Sequence, residues 1–310
     1  MISLLNIVLK ITWNSTFGAK LKSKLKKLNH YYKKVSWSIM VYTTSEDILK
    51  KKWKKLTFLS WFSFKNKLTT NTISGFADPF LIEYSNDLYL FFEAIVNQKG
   101  EIWSAKIYKN KLVNFQKVLT ESFHLSFPNV FKFEEHFYLI PESSQNNTVR
   151  LYKSVTFPTE WELYKILYKG SRFVDTNFIN LEGIYYWFTF DLDSNQSRLF
   201  YSNSLFSEWI EHKQSPFESN RNAGNFIFED NQILRPVQIS KKCYGEAVKL
   251  MKIIQLNKQK FLEEDYIVPF LSSKRGYNLD ATHHISIVKS KNITFVAVDG
   301  KNNNFYKVIN

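Results

Sequence analysis

Five times along the chain a short apolar strand carrying Asp, Pro or Gly is followed by a strand rich in aromatics. The copies are Phe76-Ala-Asp-Pro-Phe-Leu-Ile82 with Leu88-Tyr-Leu-Phe-Phe-Glu93; Ser126-Phe-Pro-Asn-Val-Phe131 with Phe137-Tyr-Leu-Ile-Pro-Glu142; Phe173-Val-Asp-Thr-Asn-Phe-Ile179 with Ile184-Tyr-Tyr-Trp-Phe188; Asn222-Ala-Gly-Asn-Phe-Ile-Phe228 with Gln232-Ile-Leu-Arg-Pro-Val237; and Leu279-Asp-Ala-Thr-His-His-Ile285 with Ile293-Thr-Phe-Val-Ala-Val-Asp299. With Asp78, Pro128, Asp175 and Gly224 as equivalent marks, the spacings are 50, 47 and 49 residues, and the fifth copy, near His283, follows 59 later. A repeat of roughly 40–50 residues holding several short strands predicts a β-propeller. Third strands fall at Ile102–Ile107, Val149–Ser154, Arg198–Ser202 and Ala247–Ile253, and outer strands at Trp161–Leu167 and Trp209–Lys213. The stretch 36–44 reads as a strand able to pair with the last blade and close the ring. A linear stack of five sheets is the alternative, and it leaves both ends exposed.

The expected architecture is therefore all-β: a five-bladed β-propeller over 36–310 with a basic, partly helical N-terminal extension over 1–35. A 44% hydrophobic and 17% aromatic content supplies a core and favours strands. The single Cys243 excludes an internal disulfide framework and a cysteine-based metal site, and it fits a reducing compartment.

Of the net charge of +14, most lies before residue 56, where thirteen lysines face only Glu46 and Asp47. The charge thus says little about a pocket in the propeller. The apolar start, Met1 to Leu9, lacks a basic lead and is broken by Lys10 well short of the roughly 18 residues a spanning helix needs. Lys20, Lys24 and Lys27 run beside Leu21, Leu25 and Leu28 at helical spacing. Residues 1–55 either attach to an anionic membrane surface or form a solvated basic arm. No binding motif accompanies the charge, so nucleic acid is not the expected partner.

Asp78 is the most informative polar residue, because an Asp-Pro inside an apolar strand is costly away from a bulge, an edge or a channel wall. An Asp capping a turn is the plainer reading, but Asp175 recurs at the equivalent position of the third copy. Glu93 and Glu142 both end the second strand of their blade. Carboxylates at matched strand ends suggest one acidic pocket, where two could serve as acid and base at a glycosidic or phosphate-linked carbon. Arg221 and Asn222, in the turn before the fourth inner strand, are placed to meet a phosphate or carboxylate, or else lie on the surface. The fifth copy supplies Asp280, His283 and His284. Adjacent histidines on a strand point to opposite faces, so at most one faces the channel. No His-x-His or His-x-x-x-His spacing is present, and neither a metal nor a cofactor is expected.

These segments resemble a known family. Ala77-Asp-Pro-Phe-Leu81, His124-Leu-Ser-Phe-Pro-Asn-Val-Phe131, Tyr138-Leu-Ile-Pro-Glu-Ser143, Val174-Asp-Thr-Asn-Phe-Ile179 and Ala297-Val-Asp-Gly300 occur in the order seen in the N-terminal domain of plant glucosamine inositolphosphorylceramide transferases and in bacterial stand-alone relatives of that domain. More distantly the chain is similar to five-bladed propeller glycosidases of the arabinanase, xylosidase and fructosidase type. That resemblance implies a base or nucleophile at Asp78 and an acid at Glu142. It departs from the glycosidases at Phe127-Pro-Asn129, where they carry a second inner-strand Asp. The implied function is a glycosyltransferase of surface polysaccharide or glycolipid synthesis, taking a saccharide or glycolipid and an activated sugar donor. It would act in the cytoplasm or at the inner face of the membrane, as a peripheral membrane enzyme. A glycoside hydrolase and a non-catalytic glycan-binding module are the alternatives.

Overall fold

The computed structural model describes residues 37–60, 73–273 and 276–302. They form five four-stranded antiparallel sheets. The first sheet holds β3 (Ile73–Tyr84), β4 (Asp87–Val96), β5 (Lys99–Tyr108) and β6 (Lys111–Leu119). The second holds β7 (Ser126–Phe133), β8 (His136–Glu142), β9 (Thr148–Thr156) and β10 (Glu160–Lys169). The third holds β11 (Phe173–Leu181), β12 (Ile184–Asp191), β13 (Gln196–Ser202) and β14 (Ile210–Glu211). The fourth holds β15 (Ile227–Glu229), β16 (Gln232–Ile239), β17 (Ala247–Leu256) and β18 (Phe261–Ser272). The fifth is shared by both ends of the chain. β19 (Ile285–Ser290) and β20 (Ile293–Lys301) are completed by β1 (Trp37–Thr44) and β2 (Lys54–Leu59), with β1 paired to β20 from Trp37↔Lys301 to Thr44↔Thr294. The extension over 1–35 lies outside the described residues.

Each sheet buries both faces against its neighbours, so apolar residues fill the junctions. Phe80, Phe91 and Ile102 meet Val130, Leu139 and Tyr152 between the first and second sheets. Leu151 meets Phe173, Trp187 and Phe200 at the next junction. Phe188 and Leu199 meet Ile253 and Phe261 at the third. Leu234 and Val248 meet Val296 and Val298 at the fourth. The fifth junction, Ile39, Val41 and Leu59 against Phe76, Leu90 and Phe92, joins the last sheet to the first. A linear stack would lack that core; the ring is closed.

The inner strands carry the repeat's special residue at a bulge. Register slips between Ala77 and Phe80, between Ser126 and Asn129, and between Val174 and Asn177. At these bulges Asp78, Phe127 and Asp175 adopt φ of 51°, 45° and 50°. Proline cannot, because its ring locks φ near −65°. The second copy's equivalent is therefore Phe127 and not Pro128, a correction of one residue. In the fourth copy Gly224 has φ +125°, and a Cβ there would lie 1.8 Å from the Ile285 carbonyl oxygen.

The bulges expose groups that join consecutive inner strands around the channel. The Phe127 N–H donates to Asp78 Oδ2 (3.0 Å), Asn129 Nδ2 to the Thr176 carbonyl (3.3 Å) and Asn177 Nδ2 to the Gly224 carbonyl (2.8 Å). The Ile285 N–H donates to the Ala223 carbonyl (2.8 Å), and the Leu81 N–H to Ser286 Oγ (2.9 Å). The inner ring is thus stitched by polar contacts while the blades behind it are held by apolar ones.

Candidate active site

The start of each inner strand and the end of each second strand share one mouth of the channel, and the carboxylates gather there. Asp175, 2% exposed, accepts from Arg221 Nε (2.6 Å) and Nη2 (3.0 Å) and from Gln238 Nε2 (3.0 Å). Arg221 Nη2 also reaches Glu142 Oε2 at 3.3 Å. One guanidinium thus bridges carboxylates from the second and third blades. Its Nε and Nη2 are committed to them, so of the two expected partners, phosphate or carboxylate, Arg221 meets carboxylates here.

Glu142 is nearly enclosed. Burial pushes its carboxyl up to about 7, with the Asp175 charge adding to the effect and Arg221 and the Ser144 hydroxyl (2.9 Å) opposing it. Asp78 is also raised well above the usual carboxylate range, first by burial and then by Glu93, Asp299 and Asp175, with His283 pulling the other way. Its anion has support from the Phe127 N–H and from His283, whose Nε2 lies 3.7 Å from Oδ1, and His284 Nδ1 lies 3.6 Å from the same oxygen.

Both histidines therefore reach the same carboxylate, contrary to the alternation expected of a strand. The reason is local. They precede β19 in a curved stretch whose successive N–H groups both donate to Asp299 Oδ1, at 2.9 and 3.0 Å. An extended backbone would turn one of those N–H groups away. His283 Nδ1 lies 2.5 Å from Asp299 Oδ2, and Trp37 stacks on its ring at 4.3 Å. Burial alone would lower His283, but the Asp299 charge and hydrogen bond outweigh it and lift the ring to about 9. His284 goes the other way, to about 3, because burial dominates. The two rings thus hold different charges side by side.

Glu93 is buried with Oε1 3.0 Å from His124 Nε2, and His124 Nδ1 accepts the Gly100 N–H at 2.9 Å. Burial opposes the charged form of His124, yet the hydrogen bond and charge of Glu93 raise its pKa. Asn222, 1% exposed, spends its amide inside the protein: Nδ2 donates to the Asp175 and Phe188 carbonyls and Oδ1 accepts from Arg235. It braces the site, with both amide hydrogens and one lone pair of Oδ1 spent inside the protein. Asp280 is placed by its N–H on the Lys301 carbonyl (2.8 Å), on the loop leading to the histidines.

Sequence reasoning missed His124, Gln238, Tyr244, Asp299 and Trp37 as members of this site. Tyr244 is half-exposed, lies 5.6 Å from the Arg221 guanidinium, and meets Trp37 and His283 edge-on. Asp299 matches the strand-end position that singled out Glu93 and Glu142, a signal that was available. Trp37 and Tyr244 come from the closing strand and a loop, where the repeat gives no signal. Asp78, His283 and Asp299 bring ligand-type atoms within 4.8 Å of one another and are the residues that could hold a cation. They come from separate segments, which His-x-His spacing cannot reveal.

Comparisons with known proteins bear on the family and the fold. The family model described as glucosamine inositolphosphorylceramide transferase 1, N-terminal, matches residues 63–301. The chain is 32% identical over 241 residues to glucosamine inositolphosphorylceramide transferase 1 of Oryza sativa subsp. japonica, and 31% identical over 245 residues to that of Arabidopsis thaliana. Each match covers 72% of this chain but 32% of the relative, so the chain spans about a third of the length of those proteins. Among solved structures, an α-L-arabinofuranosidase of Podospora anserina superposes with a TM-score of 0.56 at 13% identity, covering 76% of this chain and 93% of that one. The catalytic domain of an α-L-arabinofuranosidase of Coprinopsis cinerea gives 0.54 at 13% identity, covering 74% and 92%. These structures share the five-bladed fold. By its sequence over 63–301, the chain belongs to the family of the N-terminal domain of glucosamine inositolphosphorylceramide transferase 1.

Proposed function

We propose that this protein transfers a sugar in the assembly of a surface polysaccharide or glycolipid, with the channel-mouth carboxylates as its chemistry. The observation that carries the reading is the Glu142–Arg221–Asp175 bridge beside Asp78. It leaves one carboxyl half-protonated near neutrality beside a second whose anion the charged His283 would favour against burial. Glu142 would give a proton to the departing oxygen. Asp78, as the carboxylate, would attack the sugar carbon or take the proton of an acceptor hydroxyl. Burial and the Asp175 charge would keep the proton on Glu142, Arg221 would ease its release, and half-exposed Tyr244 offers a ring face to a sugar. Hydrolysis is the second reading, since the same pair serves equally when water is the acceptor.

The separating experiment offers the protein nucleotide-activated sugars, lipid-phosphate sugars and aryl glycosides, with and without a glycolipid acceptor. Transfer requires an activated donor and releases nucleotide or phosphate; hydrolysis consumes the glycoside in water alone. Asp78→Asn should abolish either activity while leaving the fold intact, because its amide oxygen can still accept the Phe127 N–H. If Asp78→Asn and wild type bind glycans equally and neither turns over any donor, the protein is a glycan-binding module. The basic N-terminal segment would hold the enzyme on an anionic membrane at its cytoplasmic face. Among the described residues no helix is long and apolar enough to cross a membrane.

A further inference from the structure

Behind the site lies a buried charge that the chemistry above does not use. Arg235, on β16, is 1% exposed, and its guanidinium is flanked by the rings of Phe188 (5.3 Å) and Phe217 (5.7 Å). Glu263, on β18, takes it fork to fork, Nε at 2.9 Å and Nη2 at 2.5 Å. Stability alone does not explain such a pair, since well-packed apolar residues often serve a buried site as well or better. The remaining donors reach elsewhere: Nη1 donates to Asn222 Oδ1 (2.8 Å) and Nη2 to Ser219 Oγ (2.7 Å). Those two acceptors bracket Arg221 in the chain. Asn222 passes the constraint on by donating to the Asp175 carbonyl at 2.7 Å. One buried fork therefore fixes the turn that carries Arg221 and ties that turn to the backbone of the residue Arg221 binds.

We infer that the Arg235–Glu263 pair is a positioning device that aims Arg221 at Glu142 and Asp175, and so sets how tightly Glu142 holds its proton. This role rests on Glu142 as the proton donor of the proposed reaction. Arg221 is the main group opposing burial at Glu142; Asp175, the Ser144 hydroxyl, His124 and Tyr244 also face it. If Arg221 swings out of line, its opposition fails and Glu142 holds its proton to higher pH.

The test is a carboxyl-carbon NMR titration of glutamate-labelled full-length protein, with the Glu142 signal assigned by its loss in Glu142→Gln. Removing Arg235 alone strands Glu263, so the main variant is Arg235→Met with Glu263→Leu, which keeps apolar packing against Phe188 and Phe217. Its Glu142 midpoint should rise by about one unit, a tenfold change in proton affinity. In an Arg221→Gln background the same pair of substitutions should add nothing. Ser219→Ala, which removes one tie at a half-exposed turn and spares the core, should give a smaller rise and serves if the double variant does not fold. A Glu142 midpoint unmoved in the folded double variant, or in Ser219→Ala where the double variant does not fold, overturns the inference whatever the melting temperature does. Because the titration needs no substrate, that result is distinct from failure to find a donor or glycoside, which bears on the proposed function alone.

Discussion

Burial holds the Glu142 carboxyl near 7, above the 4.5 of a free glutamate, and the Asp299 pair holds His283 near 9, above the 6.5 of a free histidine. Between pH 4.5 and 7 the folded protein keeps a proton on Glu142 that the unfolded chain has lost, so stability falls as the pH rises through that window. The stabilising charge on His283 is fully present below 6.5 and is lost as the pH passes through 9. His284, held near 3, opposes this below 6.5, where the unfolded chain takes up a proton that the folded state refuses, so thermal midpoints should decline from about pH 6.5 to pH 10. Glu142→Gln should flatten the lower limb and gain on the order of 1 kcal/mol above pH 7, less than the shift alone implies because Arg221 loses a partner. Asp299→Asn should flatten the upper limb. A wild-type midpoint that is level across this range would show that neither group carries the ionisation assigned to it. Sequence gave Asp78, Glu93, Glu142 and Asp175 their places, because repeat position is legible when the strand pattern is clear. It gave no sign that Arg221 would bridge two of them, since that contact joins residues 79 and 46 positions apart.

At the scale of strands, the second and third strands of each blade were readable, because both faces are buried and the residues are aromatic or β-branched. β2, β6 and β18 were not. Their outer position leaves much of each strand in solvent, and Lys54–Lys55 and Glu263-Glu-Asp265 carry no apolar pattern that marks a strand. The inner strands were read correctly up to their bulges and misread at them. Extended-strand reasoning also fails in the curved stretch before β19, where both N–H groups turn to Asp299, which is why His283 and His284 were assigned opposite faces. Gly224 is the inner-ring position with the least tolerance. Its φ of +125° strains any side chain, and a Cβ would meet a backbone oxygen at 1.8 Å. Gly224→Ala should lower stability by about 3 kcal/mol or more, read as a drop in the urea midpoint. An alanine variant as stable as wild type would mean that the turn before β15 does not approach Ile285 as closely as described.

At the scale of the molecule, the basic residues before position 56 divide into two groups that the sequence presents as one. β1 starts at Trp37, against His283 at the channel mouth, and its far end, Thr43, pairs with Lys54. Six residues of strand span about 20 Å, so Lys50–Lys55 lie near the end of the last blade opposite the site. If residues 1–35 supply the membrane affinity, their removal should abolish salt-sensitive binding to anionic vesicles at roughly 1 kcal/mol per basic residue near the surface, and leave the propeller folded. Binding that survives their removal but is lost on neutralising Lys50–Lys55 would mean that the protein docks with its site facing away from the lipid.

Closure of the last sheet by β1 and β2 also bears on where the domain can be cut. The family match begins at residue 63, after both strands. A fragment trimmed to that boundary keeps every carboxylate of the site yet leaves β20 as a bare edge. It also removes Ile39, Val41 and Leu59 from one junction and Trp37 from His283. Such a fragment should associate through β20 or fail to melt cooperatively, whereas one beginning at residue 36 should be monomeric and sharp in its transition. Similarity marks out what relatives hold in common, and in a ring that can be one clasp short of a stable unit.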